Sequence, residues 1–310
     1  MRTTIGLVGC GRWGTVHHAT LASLKQRGHL DRLVVCDIDA HALEGVEADG
    51  YYRSIEDMLA EEHLAGVAIV TPPETHLPLA RQAMAADLPV FIEKPLASSA
   101  EDELHFLSMP PENATVMVGY LLRHHAGLNR IKSAIDDHAM NIETIGYRRR
   151  TTRRKPKSAD PVNTLAVHGL DTARYLTGHP LVDMDVKKLE MTESSANIWL
   201  GTQSSIITID VAWEAEEEQR TLAIQGTTSG AVLDFGTGDI AWYAGAGLDE
   251  SPLVEYFPSQ PLEEQWLSFL QRVADGVPGV VPEPESLLDL SAWLSQHLSL
   301  IHISEPTRPY

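Results

Sequence analysis

Three glycines stand where an apolar run ends and a helical pattern begins. Gly9, Gly11 and Gly14 form the pattern G-x-G-x-x-G between "IGLVG" and "TVHHATLASLKQR", a predicted helix that Gly28 is placed to cap. In such a position the first glycine allows a tight turn, the second lets backbone approach a pyrophosphate, and the third lets the helix pack on the strand. By itself, the pattern is equally compatible with a plain turn.

A carboxylate in the next apolar run favours the nucleotide interpretation. Asp37 of "VVCDID" lies roughly 20 residues beyond Gly14, where a carboxylate can accept both hydroxyls of an adenosine ribose. Its charge repels a 2′-phosphate, and no arginine follows it in "DIDAHAL" to bind one. The sequence therefore predicts a dinucleotide site that favours NAD over NADP.

A lysine and a histidine farther along the chain have the chemistry to act on a bound substrate. Lys94 of "FIEKP" follows a predicted parallel strand, at the sheet edge where ligands bind, and its ammonium can polarise a hydroxyl or carbonyl oxygen. His168 lies in a predicted helix, and its imidazole can exchange a proton near neutral pH. The alternative for Lys94 is a solvated lysine in a loop, and the alternative for His168 is a place on the solvent-exposed polar face of an amphipathic helix.

The predicted helix over "PVNTLAVHGLDTARYLTG" has two distinct faces. At about 100° per residue, polar side chains share one face and apolar ones the opposite face. The polar face carries Thr164, His168, Asp171 and Tyr175. We therefore expect Thr164 or Asp171 to support His168.

Composition bounds the classes of protein to which the chain can belong. The 310 residues are 43% apolar and carry a net charge of -19, which favours two globular domains and argues against nucleic-acid binding. No apolar run approaches the ~20 residues that span a membrane. Cys10 and Cys36 lie in apolar runs and are expected to be buried and reduced. These features predict a cytoplasmic protein with no membrane partner.

Strands and helices alternate through the first third of the chain. Short β-branched runs such as "TTIGLVG", "LDRLVVCDI", "GVAIVTP", "LPVFIEKP" and "ATVMVGYLL" are separated mostly by helical patterns, which predicts a doubly wound parallel sheet. After about residue 180, longer alternating runs such as "ANIWLGTQSSIITIDVAW" predict a second, α+β domain with an open, mostly antiparallel sheet.

One basic segment breaks the acidic trend. "YRRRTTRRKPK", residues 147–157, contains seven cations and no acid. Guanidinium groups bind phosphate or carboxylate, so the segment could serve an anionic substrate; the alternative is an exposed face that pairs with acidic surface or another subunit. The candidate substrate-contacting residues are Arg123, Arg150, Arg153 and Asn163. His17, His18, His124 and His125 lack metal-ligand spacing, so we expect exposed or packing roles for them and no metal site.

The ordered motifs "GCGRWG", "CDID", "VTPPETH", "FIEKP" and "HGLDTARYL" resemble the glucose-fructose oxidoreductase, inositol dehydrogenase and rhizopine-catabolism family. The resemblance runs from residue 3 to about residue 297 and is strongest before residue 180. The segment "DVAWEAEEEQRTLAIQGTTSGAVLDF" is also similar to a branch of the family that acts on nucleotide sugars.

The resemblance implies an NAD-binding Rossmann domain over residues 1–122 and a substrate-binding and oligomerisation domain over residues 123–297, in a homo-oligomer. We expect residues 298–310 to be a non-native tail, because "SLIHISEPTRPY" continues no earlier pattern and resembles translated sequencing adapter. The cofactor-binding residues that the resemblance adds are Arg12, Trp13, Thr71, Pro72, Pro73, His76, Glu93 and Lys94. Lys94 is also implied to be the central catalytic residue.

The implied activity is hydride transfer between NAD and a secondary alcohol or ketone carbon of a sugar, polyol or nucleotide sugar. One position departs from the family: inositol dehydrogenases have an aspartate one turn before the histidine, where this chain has Thr164 beside Asn163. Two alternatives therefore stay open. One is an enzyme that uses NAD transiently with no net redox change, and the other is an NAD-binding sensor or assembly subunit without catalysis.

Overall fold

The computed structural model describes residues 3–108, 114–157, 159–245 and 251–303. The chain divides into two compact units. The first comprises Met1–Leu121 and Leu262–Ser291, and the second comprises Leu122–Pro261 and the residues from Ala292 onward. Most of the predicted tail, residues 298–310, lies outside the described residues or has no described side chains.

The first unit contains a seven-stranded parallel sheet with helices between its strands. Its strands are β1 (Thr4–Val8), β2 (Arg32–Cys36), β3 (Gly50–Tyr52), β4 (Gly66–Ile69), β5 (Val90–Ile92), β6 (Thr115–Val118) and β15 (Gly279–Val281). Its helices are α1 (Arg12–Gln26), α2 (Ile55–Glu61), α3 (Pro73–Ala85), α4 (Ala100–Ser108), α7 (Pro261–Asp275) and the start of α8 (Pro284–Ile303). The strand order is β15-β6-β5-β4-β1-β2-β3. From β1 the chain first adds strands on one side of the sheet, β2 and β3, and then on the other side, beginning with β4. This is the Rossmann arrangement that the sequence predicted.

The first unit also contains a stretch from late in the chain, which the predicted boundary at residue 122 did not include. Trp266 and Phe269 of α7 are fully buried, and the Trp266 ring stacks on Phe91 of β5 with 4.6 Å between centroids. Val280 of β15 pairs with Val116 of β6 and extends the sheet. Burial of these aromatic rings and the added strand place residues 262–291 with the Rossmann unit.

The second unit contains an eight-stranded sheet in the order β14-β13-β12-β11-β7-β10-β9-β8. The strands are β7 (Thr144–Arg150), β8 (Asp185–Met191), β9 (Ser195–Gly201), β10 (Ile206–Ala212), β11 (Gln219–Gln225), β12 (Ser229–Asp234), β13 (Asp239–Ala244) and β14 (Leu253–Tyr256). The pair β7–β10 is parallel and the other pairs are antiparallel. This confirms the predicted mostly antiparallel sheet.

Two helices pack on this sheet, α5 (Ala126–Asp136) and α6 (Val167–Thr177). Central strands bury alternate side chains such as Ile207, Ile209 and Val211, as expected for a sheet covered on one face. Gly169 allows α6 to approach closely, because a Cβ there would lie 2.5 Å from the Tyr147 ring. Across the described residues, no helix is both long enough and apolar enough to span a membrane.

A buried carboxyl in α4 makes the stability of the first unit depend on pH. Glu103 is 2% exposed and hydrogen-bonded to the amides of Leu96 and Ala97 and to Ser291, and its burial raises its pKa to about 7. Between pH 4.5 and pH 7 the folded chain therefore binds a proton that the unfolded chain has released. The free energy of unfolding falls as pH rises through this window.

Glu103→Gln is expected to remove this pH dependence. The variant should be more stable than the parent by about 3 kcal/mol at pH 8 and nearly equal to it at about pH 4.5, measured by chemical denaturation at both pH values. Glu101→Gln, at an exposed position of the same helix, is the matched control and should change neither value. An unchanged pH dependence in Glu103→Gln would contradict the assignment.

Candidate active site

The glycine loop joins the end of β1 to the start of α1. Gly9 has φ +96°, and a Cβ there would lie 2.4 Å from the Val70 carbonyl oxygen. A Cβ on Gly14 would lie 2.1 Å from the Gly9 carbonyl oxygen, whereas one on Gly11 meets nothing within 4 Å. Gly9 and Gly14 are thus required by the fold itself, and Gly11 leaves open space at the helix amino terminus. That space fits a pyrophosphate against backbone amides.

These contacts predict opposite effects for two alanine substitutions. Gly14→Ala should lower the melting temperature by several degrees, because the added methyl overlaps backbone that cannot move freely. Gly11→Ala should leave the melting temperature of the cofactor-free protein unchanged but weaken NAD binding by about tenfold or more, because the methyl fills the phosphate space. Thermal unfolding and calorimetric titration with NAD measure the two effects. Equal NAD affinity in Gly11→Ala and the parent would argue against this site.

Asp37 lies at the end of β2 beside the glycine loop. Its carboxylate accepts hydrogen bonds from the amides of Cys10, at 2.7 Å, and Asp39, at 2.8 Å. The carboxylate therefore fixes the loop and still has lone pairs for ribose hydroxyls. Arg53 donates to the backbone carbonyls of Asp37 and Ile38, so a cation lies near Asp37 although no arginine follows it in "DIDAHAL".

The loop after β4 carries the next group of predicted cofactor-binding residues. Pro73 begins α3, directly after Thr71 and Pro72. His76 is 1% exposed, and its ring nitrogens lie 2.8 Å from the carbonyl oxygens of Thr71 and Pro95. His76 thus ties the loop after β4 to the loop after β5.

Glu93 and Lys94 follow β5, where the sequence predicted the polarising lysine. Lys94 is half-buried; burial lowers its pKa, and the negative charge of Glu93 opposes that effect. Glu93 is 5% exposed and contacts His17 at 3.0 Å. Burial raises the pKa of Glu93, but hydrogen bonds from His17 and Trp13 and the charge of Lys94 outweigh it, leaving the pKa below its ordinary value. A buried carboxylate thus directly precedes a half-buried lysine of opposite charge.

His17 was not predicted to belong to this site. The expected role of His17 was exposed or packing; the side chain is fully buried and is also hydrogen-bonded to Glu93 and Trp266. Its spacing from Leu21 and Leu24 on the buried face of α1 is the signal that a polar group enters the core there. Of the other histidines, His125 caps α5 and packs on Phe235, with 5.1 Å between ring centroids.

In the second unit, His168 lies in the first turn of α6 and is half-buried. The predicted single α-helix is wrong before this point, because residues 162–166 form a π turn in which the Val167 amide bonds to the Val162 carbonyl. A π turn contains more than four residues, so Asn163 joins Thr164 in the turn before His168. Such turns occur frequently at functional sites.

The structure shows specific partners for Thr164 and Asp171. The Thr164 hydroxyl donates to the Asp160 carbonyl and accepts from the Trp213 indole at 3.3 Å. Asp171 is 4% exposed and accepts three hydrogen bonds from Arg123, the shortest 2.7 Å. The positive charge of Arg123, predicted to bind substrate, is thus balanced by Asp171, which was predicted to support His168.

The basic segment divides into two parts. The guanidinium groups of β7 are paired: Arg148 and Arg150 lie 3.3 Å from Asp210, and Arg149 lies 3.0 Å from Glu218. In the loop that follows, the cations of Arg153, Arg154 and Lys157 are exposed, and no carboxylate in the described part of the chain pairs with them. The arginines of β7 therefore form ion pairs with nearby carboxylates, and the exposed cations of the loop are the ones available to bind an anionic ligand.

Comparison with known proteins relates most of the first unit to a family model. Residues 3–120 match the model of the oxidoreductase family with an NAD-binding Rossmann fold. The match confirms the resemblance carried by the glycine loop, Asp37 and the segments around Thr71 and Lys94, and it makes the first unit an NAD-binding Rossmann domain.

Curated relatives of the family align with somewhat more than half of the chain. The chain is 28% identical over 195 residues to an inositol 2-dehydrogenase from Rhizobium meliloti, covering 59% of the chain and 58% of the relative. It is 30% identical over 190 residues to a UDP-N-acetylglucosamine 3-dehydrogenase from Acidithiobacillus ferrooxidans, covering 59% of the chain and 56% of the relative. The matched stretches thus span less than two thirds of these relatives.

Solved structures share the fold over nearly the whole chain. The UDP-N-acetylglucosamine 3-dehydrogenase of Acidithiobacillus ferrooxidans has a TM-score of 0.77 at 22% identity, covering 96% of this chain and 98% of its own. A levoglucosan dehydrogenase in complex with NADH and levoglucosan has a TM-score of 0.79 at 16% identity, covering 98% of both chains. The second unit, like the first, therefore has the fold found in these solved structures.

Proposed function

We propose that the protein is an NAD-dependent oxidoreductase that transfers hydride between the nicotinamide and a secondary alcohol or ketone carbon of a sugar-like substrate. The observation that carries the proposal is the buried carboxylate of Glu93 next to the half-buried Lys94 at the end of β5, in an NAD-binding Rossmann domain. A lysine amine at this sheet edge, charge-balanced by a buried carboxylate, suits polarisation of a reacting oxygen. We further propose a cytoplasmic homo-oligomer.

Each proposed catalytic residue has a separate role. NAD, when bound, supplies the hydride chemistry. Lys94 donates a hydrogen bond to the substrate oxygen and stabilises negative charge that develops there. His168 exchanges the hydroxyl proton that accompanies hydride transfer. Asp171 holds Arg123 against α6, and Thr164 anchors the π turn to Trp213; both act as positioning residues for His168.

The substrate is proposed to be anionic, with a nucleotide sugar or sugar acid favoured over a free polyol. Support comes from Arg153, Arg154 and Lys157, three exposed cations of the second unit without a carboxylate partner among the described residues. Guanidinium groups bind phosphate and carboxylate in preference to neutral hydroxyls. The relative named UDP-N-acetylglucosamine 3-dehydrogenase is consistent with this class, whereas inositol 2-dehydrogenases favour the polyol alternative.

Turnover of a substrate panel tests the function. The purified chain is incubated with NAD and free sugars, polyols, sugar acids or nucleotide sugars while the absorbance of reduced nicotinamide is recorded. We expect NADH to form with at least one anionic sugar. Full conversion of a sugar without NADH release would indicate transient use of NAD, and NAD binding without conversion of any sugar would indicate a sensor or assembly subunit.

Neutralising the loop cations should weaken substrate binding selectively. We expect the double variant Arg153→Ala, Arg154→Ala to raise the KM of an anionic sugar by about tenfold or more with little change in kcat, because charge-assisted hydrogen bonds contribute mainly to binding. Arg148→Ala, which removes a guanidinium paired with Asp210, is the matched control and should leave KM unchanged. Steady-state kinetics measures both. An equal rise in both variants, or no rise, would contradict the anionic-substrate proposal.

A further inference from the structure

A chain of hydrogen bonds inside the Rossmann unit ends on one buried carboxylate. Trp266 of α7 donates its indole N–H to Nδ1 of His17 at 3.2 Å, and Nε2 of His17 lies 3.0 Å from Oε1 of Glu93. The amide of Lys94 donates to Oε2 of Glu93 at 3.0 Å. Elements from both ends of the chain therefore converge on Glu93.

The direction of these hydrogen bonds fixes the charge of His17. An indole N–H can only donate, so Nδ1 of His17 must be the unprotonated, accepting nitrogen. The ring hydrogen is consequently on Nε2, which donates to Glu93. Full protonation of His17 would direct an N–H group at the N–H group of Trp266. His17 is therefore a neutral donor and does not balance the negative charge of Glu93.

The surroundings of Glu93 are built to hold an anion. Both carboxylate oxygens accept hydrogen bonds, as an ionised carboxylate does. The neighbouring Gly119 makes room for the carboxylate, because a Cβ there would lie 2.6 Å from Oε1. The positive charge of Lys94 favours the ionised carboxylate, and the carboxylate in turn opposes the effect of burial on the pKa of Lys94. A negative charge is thus fixed in the core, directly before the lysine at the end of β5.

The place of Glu93 in the sheet relates this charge to one half of a dinucleotide. Asp37 lies at the end of β2, which marks the adenosine side of the glycine loop. β4 and β5 lie on the other side of β1, so the nicotinamide half of a dinucleotide extends over the strand ends that include Glu93. The nicotinamide ring carries a positive charge in NAD⁺ and none in NADH.

We propose that Glu93, held as an anion by His17, is a charge-selecting residue that favours the oxidised over the reduced nicotinamide. Its negative charge offsets the repulsion between the Lys94 ammonium and the pyridinium ring, and NADH gains nothing from it. The ratio of the dissociation constants of NADH and NAD⁺ is therefore set partly by Glu93. His17 is a positioning residue that acts through Glu93. This inference rests on the NAD-binding domain and does not depend on the identity of a substrate.

Equilibrium binding of the two cofactors tests the proposal without turnover. Dissociation constants of NAD⁺ and NADH are measured by calorimetry with the full chain and no sugar present. Glu93→Gln is expected to lower the NADH-to-NAD⁺ ratio of dissociation constants by about tenfold, chiefly through weaker NAD⁺ binding. Lys94→Met, which removes the cation and leaves Glu93, should move the ratio in the opposite direction.

Two control variants separate charge from packing. Glu93→Asp keeps the charge while disturbing the same contacts, so it should retain most of the parent ratio. Glu74→Gln removes an exposed carboxylate from the first turn of α3 and should leave the ratio unchanged, because solvent screens that charge. An unchanged ratio in Glu93→Gln, or an equal loss of affinity for both cofactors, would overturn the proposal. So would the absence of binding of either cofactor to the parent.

His17→Phe provides a second measurement if Glu93→Gln does not fold. Loss of the Nε2 hydrogen bond raises the pKa of the buried Glu93 carboxyl, so the cofactor ratio should become pH-dependent between about pH 5 and pH 8. The ratio should resemble that of the parent at the upper end and fall at the lower end. A ratio that stays flat across this range would assign the network a purely structural role. Because no substrate is used, this outcome is independent of whether any sugar is oxidised.

Discussion

Lys94→Met is expected to lower kcat by about a hundred- to a thousandfold, the range seen when a single donor to a developing oxyanion is removed. Methionine retains an unbranched side chain of similar length but has no N–H to polarise the substrate oxygen. NAD should still bind, because the glycine loop and Asp37 are unchanged. Steady-state kinetics with a substrate identified from the panel, together with calorimetry, measures these two effects.

The pH dependence of the same reaction provides an independent check on Lys94. The protonated amine is the active form, and burial lowers its pKa from the ordinary value of 10.5. The parent should therefore lose activity as pH rises through a value below 10.5, and Lys94→Arg should move that loss to higher pH because guanidinium keeps its proton. Lys187→Met, at an ion-paired position on β8, is the control and should leave both kcat and its pH profile unchanged. Equal kcat in Lys94→Met and the parent would exclude a catalytic role.

His168→Ala is expected to lower kcat by about a hundredfold or more, the usual contribution of a general acid or base. The imidazole is half-buried in the first turn of α6, and the π turn before it is anchored by Thr164. Loss of the ring removes the group that exchanges the substrate proton but leaves the Arg123–Asp171 pair in place. Steady-state kinetics across pH 6 to about 9 should show a larger loss in kcat than in substrate binding.

A second histidine, close to the same helix in sequence, separates this role from a general surface effect. His179 is exposed just beyond α6, and His179→Ala should leave kcat unchanged. If His168→Ala and His179→Ala both retain the kcat of the parent, His168 has no catalytic role and its side chain is simply solvated. Thermal unfolding of the two variants, expected to be the same within a few degrees, checks that the folds are comparable.

The sequence was sufficient to predict the architecture of both units because their strands differ in pattern. Buried parallel strands such as β1 and β4 are continuous apolar runs, whereas β9 and β10 alternate. The three-residue strands β3 and β15 are too short to give a pattern. The return of residues 262–291 to the first unit depends on tertiary packing of Trp266 and Phe269, which no local signal reveals.

Features of the site that depend on local geometry could be predicted from the sequence, whereas those that depend on long-range charge pairing could not. The roles of Gly9 and Gly14 as tight-packing positions follow from spacing, and the structure shows the close approaches that require them. The pairing of Asp171 with Arg123, 48 positions apart, and of His17 with Glu93, 76 positions apart, joins residues that no sequence pattern relates. The π turn likewise has no sequence signature, so the helical wheel placed Thr164 as if the helix were regular.

The late return of α7 has a consequence for synthesis on the ribosome. When the first 121 residues have emerged, the aromatic side chain of Phe91 lacks Trp266, and the imidazole of His17 lacks its indole donor. The first unit therefore stays incompletely packed until residues 262–291 have been translated, after the second unit. The nascent chain passes through a stage with exposed apolar surface, which is when chaperones engage multidomain proteins.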